Sequence, residues 1–209
     1  MAPGPEDSRR SPYARALGAR ASELDPLLRD YFASIPPGRV GVGTGVFDRV
    51  GTPRRWLWPL LAVLQPTGAV RAGWATDVPF RIENRTVDGR AESLRRFRFA
   101  SGDWVMRDAV ALSRSGRLVD TIGPRGRVIA SFDLDVRDGG LQLISRTVGF
   151  RIGRRIARLP RALAPVVRLS ERQDAESGRQ RVDVTIDVPV IGRVYAYGGS
   201  FRYRIEEDA

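Results

Sequence analysis

The 209-residue sequence contains no cysteine, no histidine and no lysine, so all 35 of its basic side chains are arginine. These absences exclude a thiolate nucleophile, a histidine general base and a lysine Schiff base, and they remove the nitrogen and sulfur ligands of most metal sites. A P-loop is excluded because it needs a lysine, and residues 41–45 are followed by Val46 where a dinucleotide-binding motif has its third glycine. We therefore expect neither a metal nor a cofactor, and any catalysis would depend on aspartate, glutamate, tyrosine, serine or arginine.

Without cysteine no disulfide framework can form, and nothing else in the chain indicates secretion. Residues 1–11 include Pro3, Gly4 and Pro5 but no apolar core, which predicts a disordered tail rather than a signal peptide. The longest strongly apolar stretch, residues 56–64, is far shorter than the roughly 20 residues that span a bilayer. These observations favour a cytoplasmic protein in which residues 12–209 form one domain.

The formal net charge of +11 would suit a nucleic-acid-binding protein, because arginine neutralises phosphate. The arginines are spread over the whole chain, however, and only residues 151–161 form a dense run. No recognition motif accompanies that run, and abundant arginine without lysine is typical of GC-rich coding sequences. We expect a basic surface that attracts anionic partners weakly, membranes included, but no specific nucleic-acid site.

Residues 12–66 combine helical and strand signals. Residues 13–19 fit a short helix, and Asp25 followed by Pro26 fits the N-cap and first turn of a second helix that ends near residue 33. Residues 39–50 alternate valine and threonine with glycine, which predicts a strand that bends or is approached closely by another backbone. Residues 54–65 are apolar almost all round and predict a helix, with Pro59 in its first turn or at a kink.

Residues 77–206 follow the period of two that is typical of β-strands. Turn sequences such as Asp88-Gly89 and Ser177-Gly178 separate eight or nine strands at hairpin spacing, and only residues 160–165 interrupt the series. An antiparallel meander of this length tends to curl or close, since closure protects its edges. We predict a mainly β (α+β) fold: a long antiparallel meander curled into a barrel or half-barrel, with N-terminal helices and the apolar helix packed against or inside it.

Five segments also carry a family resemblance: 37–43 (PGRVGVG), 51–53 (GTP), 78–85 (VPFRIENR), 138–141 (DGGL) and 198–201 (GGSF). In these segments, and over nearly the whole chain after about residue 12, the sequence resembles the family called domain of unknown function 4166. The resemblance implies an actinobacterial protein, because the family is common there, both alone and behind NAD(P)-binding modules of the saccharopine-dehydrogenase or short-chain-dehydrogenase type. It thereby implies a partner reductase, and it supplies no catalytic residues.

Charged side chains occupy positions that are otherwise apolar in the predicted strands. Asp108 and Asp120 both alternate with apolar neighbours, and Glu171 and Arg146 have similar positions farther along the chain. A buried charge without a partner costs several kcal/mol, so these groups are expected to find one another or an arginine. The predicted polar patch of the interior consists of Asp108, Asp120, Arg146, Glu171, Glu83, Arg85, Tyr195 and Tyr197.

Three interpretations of this patch remain open. In the first, bulges or strand ends turn the acids to the rim, or Asp108, Asp120 and Arg146 form a satisfied internal ion network. In the second, the barrel is a non-catalytic binding module whose cavity holds a lipid or another hydrophobic small molecule. The aromatic lining expected for that cavity is Phe80, Phe97, Phe99, Trp104, Phe132 and Phe201. In the third, Asp108, Asp120 or Glu171 acts as a general acid or base whose pKa is raised by burial.

The apolar helix at residues 54–65 has two interpretations of its own. A curved sheet needs an apolar cover on its concave face, which favours packing of this helix in the core. Two arginines followed by Trp56 and Trp58 are also typical of a segment that lies in a membrane interface. Membrane contact through the two tryptophans is therefore the alternative to core packing.

Overall fold

The computed structural model describes residues 10–160 and 163–208. The predicted tail therefore lies outside the described residues except for Arg10 and Ser11. Ser11 is buried, and its side chain accepts a hydrogen bond from the Ala14 amide at 3.0 Å. The same hydroxyl donates to the backbone oxygen of Phe32. Ser11 thus starts the first helix and ties it to the end of the second.

Three short α-helices accompany the sheet. They are α1 (Pro12–Leu17), α2 (Pro26–Tyr31) and α3 (Trp58–Leu64). A six-residue 3₁₀ helix at Gly18–Glu23 extends α1, and single 3₁₀ turns at Arg55–Leu57 and Gln65–Thr67 flank α3. All three helices lie where the sequence predicts them, and each has a proline in its first turn, where no backbone N–H is needed. No helix among the described residues is long and apolar enough to cross a membrane.

Twelve strands are seen in the described residues. They are β1 (Arg39–Gly51), β2 (Trp74–Ala75), β3 (Val78–Val87), β4 (Arg90–Phe99), β5 (Gly102–Leu112), β6 (Leu118–Ile122), β7 (Val128–Arg137), β8 (Gly140–Ile152), β9 (Arg155–Arg158), β10 (Val166–Asp174), β11 (Arg179–Val188) and β12 (Gly192–Glu207). The nine strands predicted after residue 77 correspond to β3 to β8 and β10 to β12. Two short strands, β2 and β9, were not predicted.

The strands pair antiparallel in the order β10-β11-β12-β1-β3-β4-β5-β6-β7-β8. Residues 168–171 of β10 also pair with residues 141–144 of β8, so the sheet closes on itself. Ten of the described strands thereby form an antiparallel closed barrel, which confirms the predicted fold class. β2 adds to the end of β1, and β9 extends β8 as a two-stranded ribbon.

The helices occupy the two ends of the barrel. α3 and the turn after it approach the β6–β7 connection, where Gly68 packs close to Gly123. Because neighbouring strands are antiparallel, the β8–β9 and β11–β12 connections lie at this same end of the barrel. We call it the α3 end. At the other end, the α1 end, the Asp25 amide donates to the Gly139 oxygen of the β7–β8 turn at 2.9 Å.

Glycines let β1 pack tightly against both of its neighbours. A Cβ atom on Gly43 would lie 2.6 Å from Cγ2 of Ile82 on β3 and 2.9 Å from Cδ2 of Phe201 on β12. A Cβ atom on Gly45 would clash with the Ser200 backbone oxygen of β12, which confirms the prediction that another backbone approaches the glycine-rich stretch closely. Glycine here serves sheet packing, since the segment is a long strand rather than the turn of a nucleotide-binding loop.

Stacked aromatic side chains fill the part of the interior that β1, β3, β4, β5 and β12 enclose. The rings of Phe47 and Phe80 lie 4.2 Å apart, and those of Phe97 and Trp104 lie 4.9 Å apart. Phe97 is completely buried in this cluster. A second apolar cluster joins the helices at the α1 end to β5, β6, β7 and β8.

Replacing the central ring tests the aromatic cluster. Phe97→Ala is expected to lower the free energy of unfolding by about 3–5 kcal/mol, because the deletion leaves a cavity among rigid neighbours. Ile144→Ala on the exposed outer wall of β8 should cost less than about 1 kcal/mol. Urea unfolding measures both values. Equal losses in the two variants would show that the ring cluster does not hold the barrel together.

Candidate functional site

The described side chains leave a cavity of about 520 Å³ inside the barrel. Its walls are mainly aliphatic and come from both the sheet and the helices. Val110, Leu118, Ala130, Leu143 and Val148 contribute from the strands, while Leu57, Leu61 and Leu64 contribute from the α3 end. A cavity of this size and composition suits a small molecule with a large apolar body.

One charged pair lies on the cavity wall where β4 meets β5. Asp108 and Arg95 point inward because they share the alternation of Phe97 and Met106 in the paired register. The Arg95 guanidinium donates to the Asp108 carboxylate, whose side chain is only 1% exposed. Burial raises the pKa of Asp108, although the charge of Arg95 opposes that shift. The pair is balanced in charge but carries the desolvation cost of both ions.

A second carboxyl, Asp120, lies beside this pair on β6. Asp120 pairs with Val110 across the β5–β6 ladder, while Asp108 pairs with Ile122, so the two acids are diagonal neighbours on one face of the sheet. The Cα atoms of such diagonal neighbours lie roughly 7–8 Å apart. The Oδ1 atom of Asp120 is buried and has no hydrogen-bond partner in the described structure. Burial, and next the negative charge of Asp108, raise the pKa of Asp120 to about 8. At neutral pH this carboxyl is therefore mostly protonated and able to donate a hydrogen bond.

The third acid, Glu171, enters the cavity from β10. Gln180 on the adjacent strand β11 is fully buried and donates its Nε2 hydrogen to the Glu171 carboxylate. Burial raises the pKa of Glu171 to about 7, while the hydrogen bond from Gln180 works against that shift. Asp120 on β6 and Glu171 on β10 therefore both have pKa values near neutrality.

Tyrosines complete the polar part of the wall. Burial, and then the charges of Asp120 and Glu171, hold the pKa of Tyr13 on α1 well above its usual range. Burial likewise raises the pKa of Tyr197 to about 12, and Tyr195 accepts a hydrogen bond from the Arg71 amide at 3.2 Å. These phenols are neutral hydrogen-bonding groups within a mainly apolar wall.

Two of the residues predicted for the interior lie on the outer wall. Arg146 is 58% exposed and pairs with Asp133 at 2.6 Å. The pairing of β7 with β8 slips by one residue beside it, and such a bulge turns the side chains that follow to the other face. Glu83 bonds the outer Arg81 at 3.0 Å, because it falls between the inward positions of β3. Arg85 reaches the cavity edge but forms two hydrogen bonds, of 2.6 and 2.8 Å, with Asp208.

The aromatic lining was predicted incorrectly for five of its six members. Phe132 lines the cavity. The other five pack against one another or their neighbours in the aromatic cluster and are not part of the wall: Phe80, Phe97, Phe99, Trp104 and Phe201. They point inward as expected, but their rings occupy the space on their own side of the barrel. Of the other predicted residues, Asp108, Asp120, Glu171, Tyr195 and Tyr197 do line the cavity.

Sequence reasoning missed Arg95, Tyr13 and Tyr31 as wall residues. A signal for Arg95 was present, since it shares the alternation of Phe97 and Phe99 along β4. No such signal marks Tyr13 or Tyr31, because they reach the cavity from helices whose position depends on tertiary packing. No cluster of three or more potential metal-binding side chains occurs in residues 10–160 and 163–208.

Comparison with known families gives one match. A family model described as Domain of unknown function (DUF4166) matches residues 24–201, which is most of the chain and spans nearly the whole barrel. The search of curated proteins and the search of solved structures found no match.

The acids in the cavity wall determine how stability depends on pH. The folded pKa of Asp120 lies near 8, whereas an aspartate in the unfolded chain has a pKa near 4. The folded state therefore binds more protons between these values, and stability should fall as pH rises from about 4 to 8, by at most about 1.4 kcal/mol per pH unit for one group. Urea unfolding of Asp120→Asn should show a flatter dependence. Asp133→Asn on the outer wall should leave the wild-type slope unchanged, and an unchanged slope in both variants would contradict the assignment.

The charged pair makes a separate prediction. Arg95→Met should destabilise the protein by about 3–5 kcal/mol at pH 8, because it leaves the Asp108 carboxylate buried without its partner. The double change Arg95→Met with Asp108→Leu should recover most of that loss in equilibrium unfolding. Arg81→Met, which breaks an exposed pair with Glu83, serves as the control and should cost less than about 1 kcal/mol. A loss in Arg95→Met as small as the control would contradict the prediction.

Proposed function

The chain belongs to the DUF4166 family, and we propose that it is a binding module whose barrel holds a lipid-like or otherwise hydrophobic small molecule. The observation that carries the proposal is the unfilled, mainly apolar cavity of about 520 Å³ inside a closed barrel. Ligand pockets in proteins commonly have volumes of roughly 300–1,000 Å³ and apolar walls with a few polar groups. This cavity has both properties.

The polar part of the wall supports a more specific ligand class. Arg95 is already balanced by Asp108, so the pair presents no net charge to a guest. Asp120, which is mostly neutral at pH 7, has a buried oxygen without a hydrogen-bond partner in the described structure. A ligand with an uncharged hydroxyl group at one end could donate a hydrogen bond to that oxygen. A hydroxyl or carbonyl group could also accept a hydrogen bond from the protonated carboxyl. We therefore propose an apolar body with a neutral polar end as the preferred chemistry.

A carboxylate-based enzyme is the second candidate. Asp108 and Asp120 are diagonal neighbours, and the raised pKa values of Asp120 and Glu171 lie in the range that general acid and base catalysis uses. Both functions use the same cavity but respond differently to Asp120→Asn. The binding module keeps its ligand in this variant with altered affinity, whereas the enzyme would bind its substrate and lose turnover.

Native mass spectrometry of protein purified without detergent tests the binding function. We expect a bound compound, released and identified by solvent extraction, in the wild-type protein. Ala130→Phe places a ring in the cavity and should remove the adduct, whereas Ala111→Phe, which makes the same change on the outward-facing side of β5, should retain it.

Folding of both phenylalanine variants is checked by circular dichroism and urea unfolding. The binding proposal is wrong if the purified wild-type protein carries no compound and also fails to bind a panel of fatty alcohols, sterols and fatty-acid esters added at saturating concentration. Retention of an adduct by folded Ala130→Phe would show that the compound sits elsewhere on the protein.

A further inference from the structure

Exposed apolar side chains are concentrated at the α3 end of the barrel. Nine of the twelve large exposed hydrophobic residues in the described chain lie in residues 56–74, in residues 152–163 or at position 190. Trp56 is 64% exposed and Val190 is 98% exposed. The remaining three, Val46, Val87 and Ile144, lie apart from this group. Large apolar groups gathered at one end of a protein mark a surface that contacts something else.

The ribbon formed by β8 and β9 is the most exposed part of this end. Every residue from 151 to 160 is exposed, so the ribbon projects from the barrel with both faces in solvent. Ile152 and Ile156 alternate there with arginines. In the described structure none of Arg154, Arg155 and Arg158 forms an ion pair, which leaves their charges open to an external anion.

The start of α3 also combines arginines with exposed apolar side chains, since Arg54 and Arg55 precede Trp56. Leu57 and Leu61 are buried against the barrel, while Leu60 and Val63 of the same helix are exposed. Trp58 is fixed, because its indole Nε1 donates to the Thr52 oxygen at 2.9 Å. Trp56 is exposed beside it.

The start of α3 is joined directly to the β11–β12 loop. The Arg54 guanidinium donates to the Ile191 oxygen at 2.7 Å, so α3 lies next to the loop that carries Val190. The exposed apolar residues of the helix and of the loop therefore belong to one surface.

The charge of these segments has one sign. Residues 51–76 and 149–165 together contain eight arginines and no aspartate or glutamate, although the whole chain has 24 acidic residues. Acids are thus missing from two of the three segments that expose apolar side chains at this end. Arginine next to tryptophan and aliphatic residues is the composition that binds the interface of a bilayer with anionic lipids.

We propose that the α3 end is a docking surface for an anionic lipid bilayer. The ribbon and the exposed face of α3 insert their apolar side chains among the lipid headgroups, and the unpaired arginines contact phosphate and other anionic groups. This goes beyond the binding function, because docking requires no ligand in the cavity. Leu60, Leu159 and Leu163 are exposed and also line the cavity, so a docked barrel brings the α3 end of that cavity against lipid. Loading of a ligand from the bilayer rests on the proposed function.

Co-sedimentation with vesicles tests docking. The full chain should bind vesicles of phosphatidylcholine with phosphatidylserine, bind phosphatidylcholine alone much more weakly, and dissociate from the mixed vesicles as salt is raised. Arg154→Gln, Arg155→Gln and Arg158→Gln combined should weaken binding by roughly 100-fold, since each arginine near the surface contributes about fivefold. The control combines Arg29→Gln, Arg114→Gln and Arg179→Gln, which remove the same charge at exposed positions at the α1 end. Its affinity should stay within a few fold of wild type.

A third variant, Trp56→Ser, should weaken binding while leaving the unfolding curve unchanged. Equal weakening in the two triple variants would overturn the proposal, since net charge alone would then explain binding. Absence of vesicle binding would also overturn the proposal. If light scattering shows a dimer that the Trp56→Ser change abolishes, the α3 end is instead an interface between two copies of the chain. Ala130→Phe separates the two proposals: it should keep vesicle binding even though its cavity is blocked, whatever the mass spectrometry of adducts shows.

Discussion

The pairing of β8 with β10 closes the sheet, and the number of strands in that closed sheet determines what the interior can be. The interior of an eight-stranded barrel is about wide enough to be filled by its own side chains, and the diameter grows with strand number. Ten strands therefore leave space. The aromatic cluster of Phe47, Phe80, Phe97 and Trp104 fills one side, and the cavity occupies the rest. An open half-barrel would expose the same wall to water and would not shift the pKa values of its acids.

The electrostatics of the cavity follow from this closure. Among the described residues, three carboxyl groups face the apolar cavity and one arginine lies close to them, so only Asp108 obtains a cationic partner there. Asp120 and Glu171 then respond to burial by raised pKa values, because an uncompensated charge in such a place costs several kcal/mol. The wall keeps Asp120 and the phenols mostly neutral at pH 7, at the expense of stability as pH rises above about 4. Glu171, with a pKa of about 7, is about half ionised at neutral pH, so the cavity combines neutral hydrogen-bonding groups with one acid that titrates there.

Sequence reasoning reached the fold because period-two alternation and hairpin turns are local signals, and the β-meander is built from them. It placed Asp108, Asp120 and Glu171 inward for the same reason. It failed for Arg146 because a single bulge shifts the alternation of β8 by one residue, and the exposed Ile144 conceals that shift in the apolar pattern. It failed for Phe80 and Phe97 because alternation shows which side chains face inward but not which part of the interior they fill. Closure by β8 and β10 is a contact between distant segments, and the sequence left barrel and half-barrel equally open.

The described structure thus joins a mainly apolar cavity inside the barrel to an exposed end rich in arginine and apolar side chains, and both features depend on the closed ten-stranded barrel. Carboxyl ¹³C NMR of aspartate-labelled protein, with Asp120→Asn to assign the resonance, tests that shared basis most directly. We predict that Asp120 titrates with a midpoint near pH 8, as expected for a carboxyl shielded from water and placed beside Asp108. A midpoint near 4 would show that water solvates the carboxyl freely, and it would contradict an enclosed cavity.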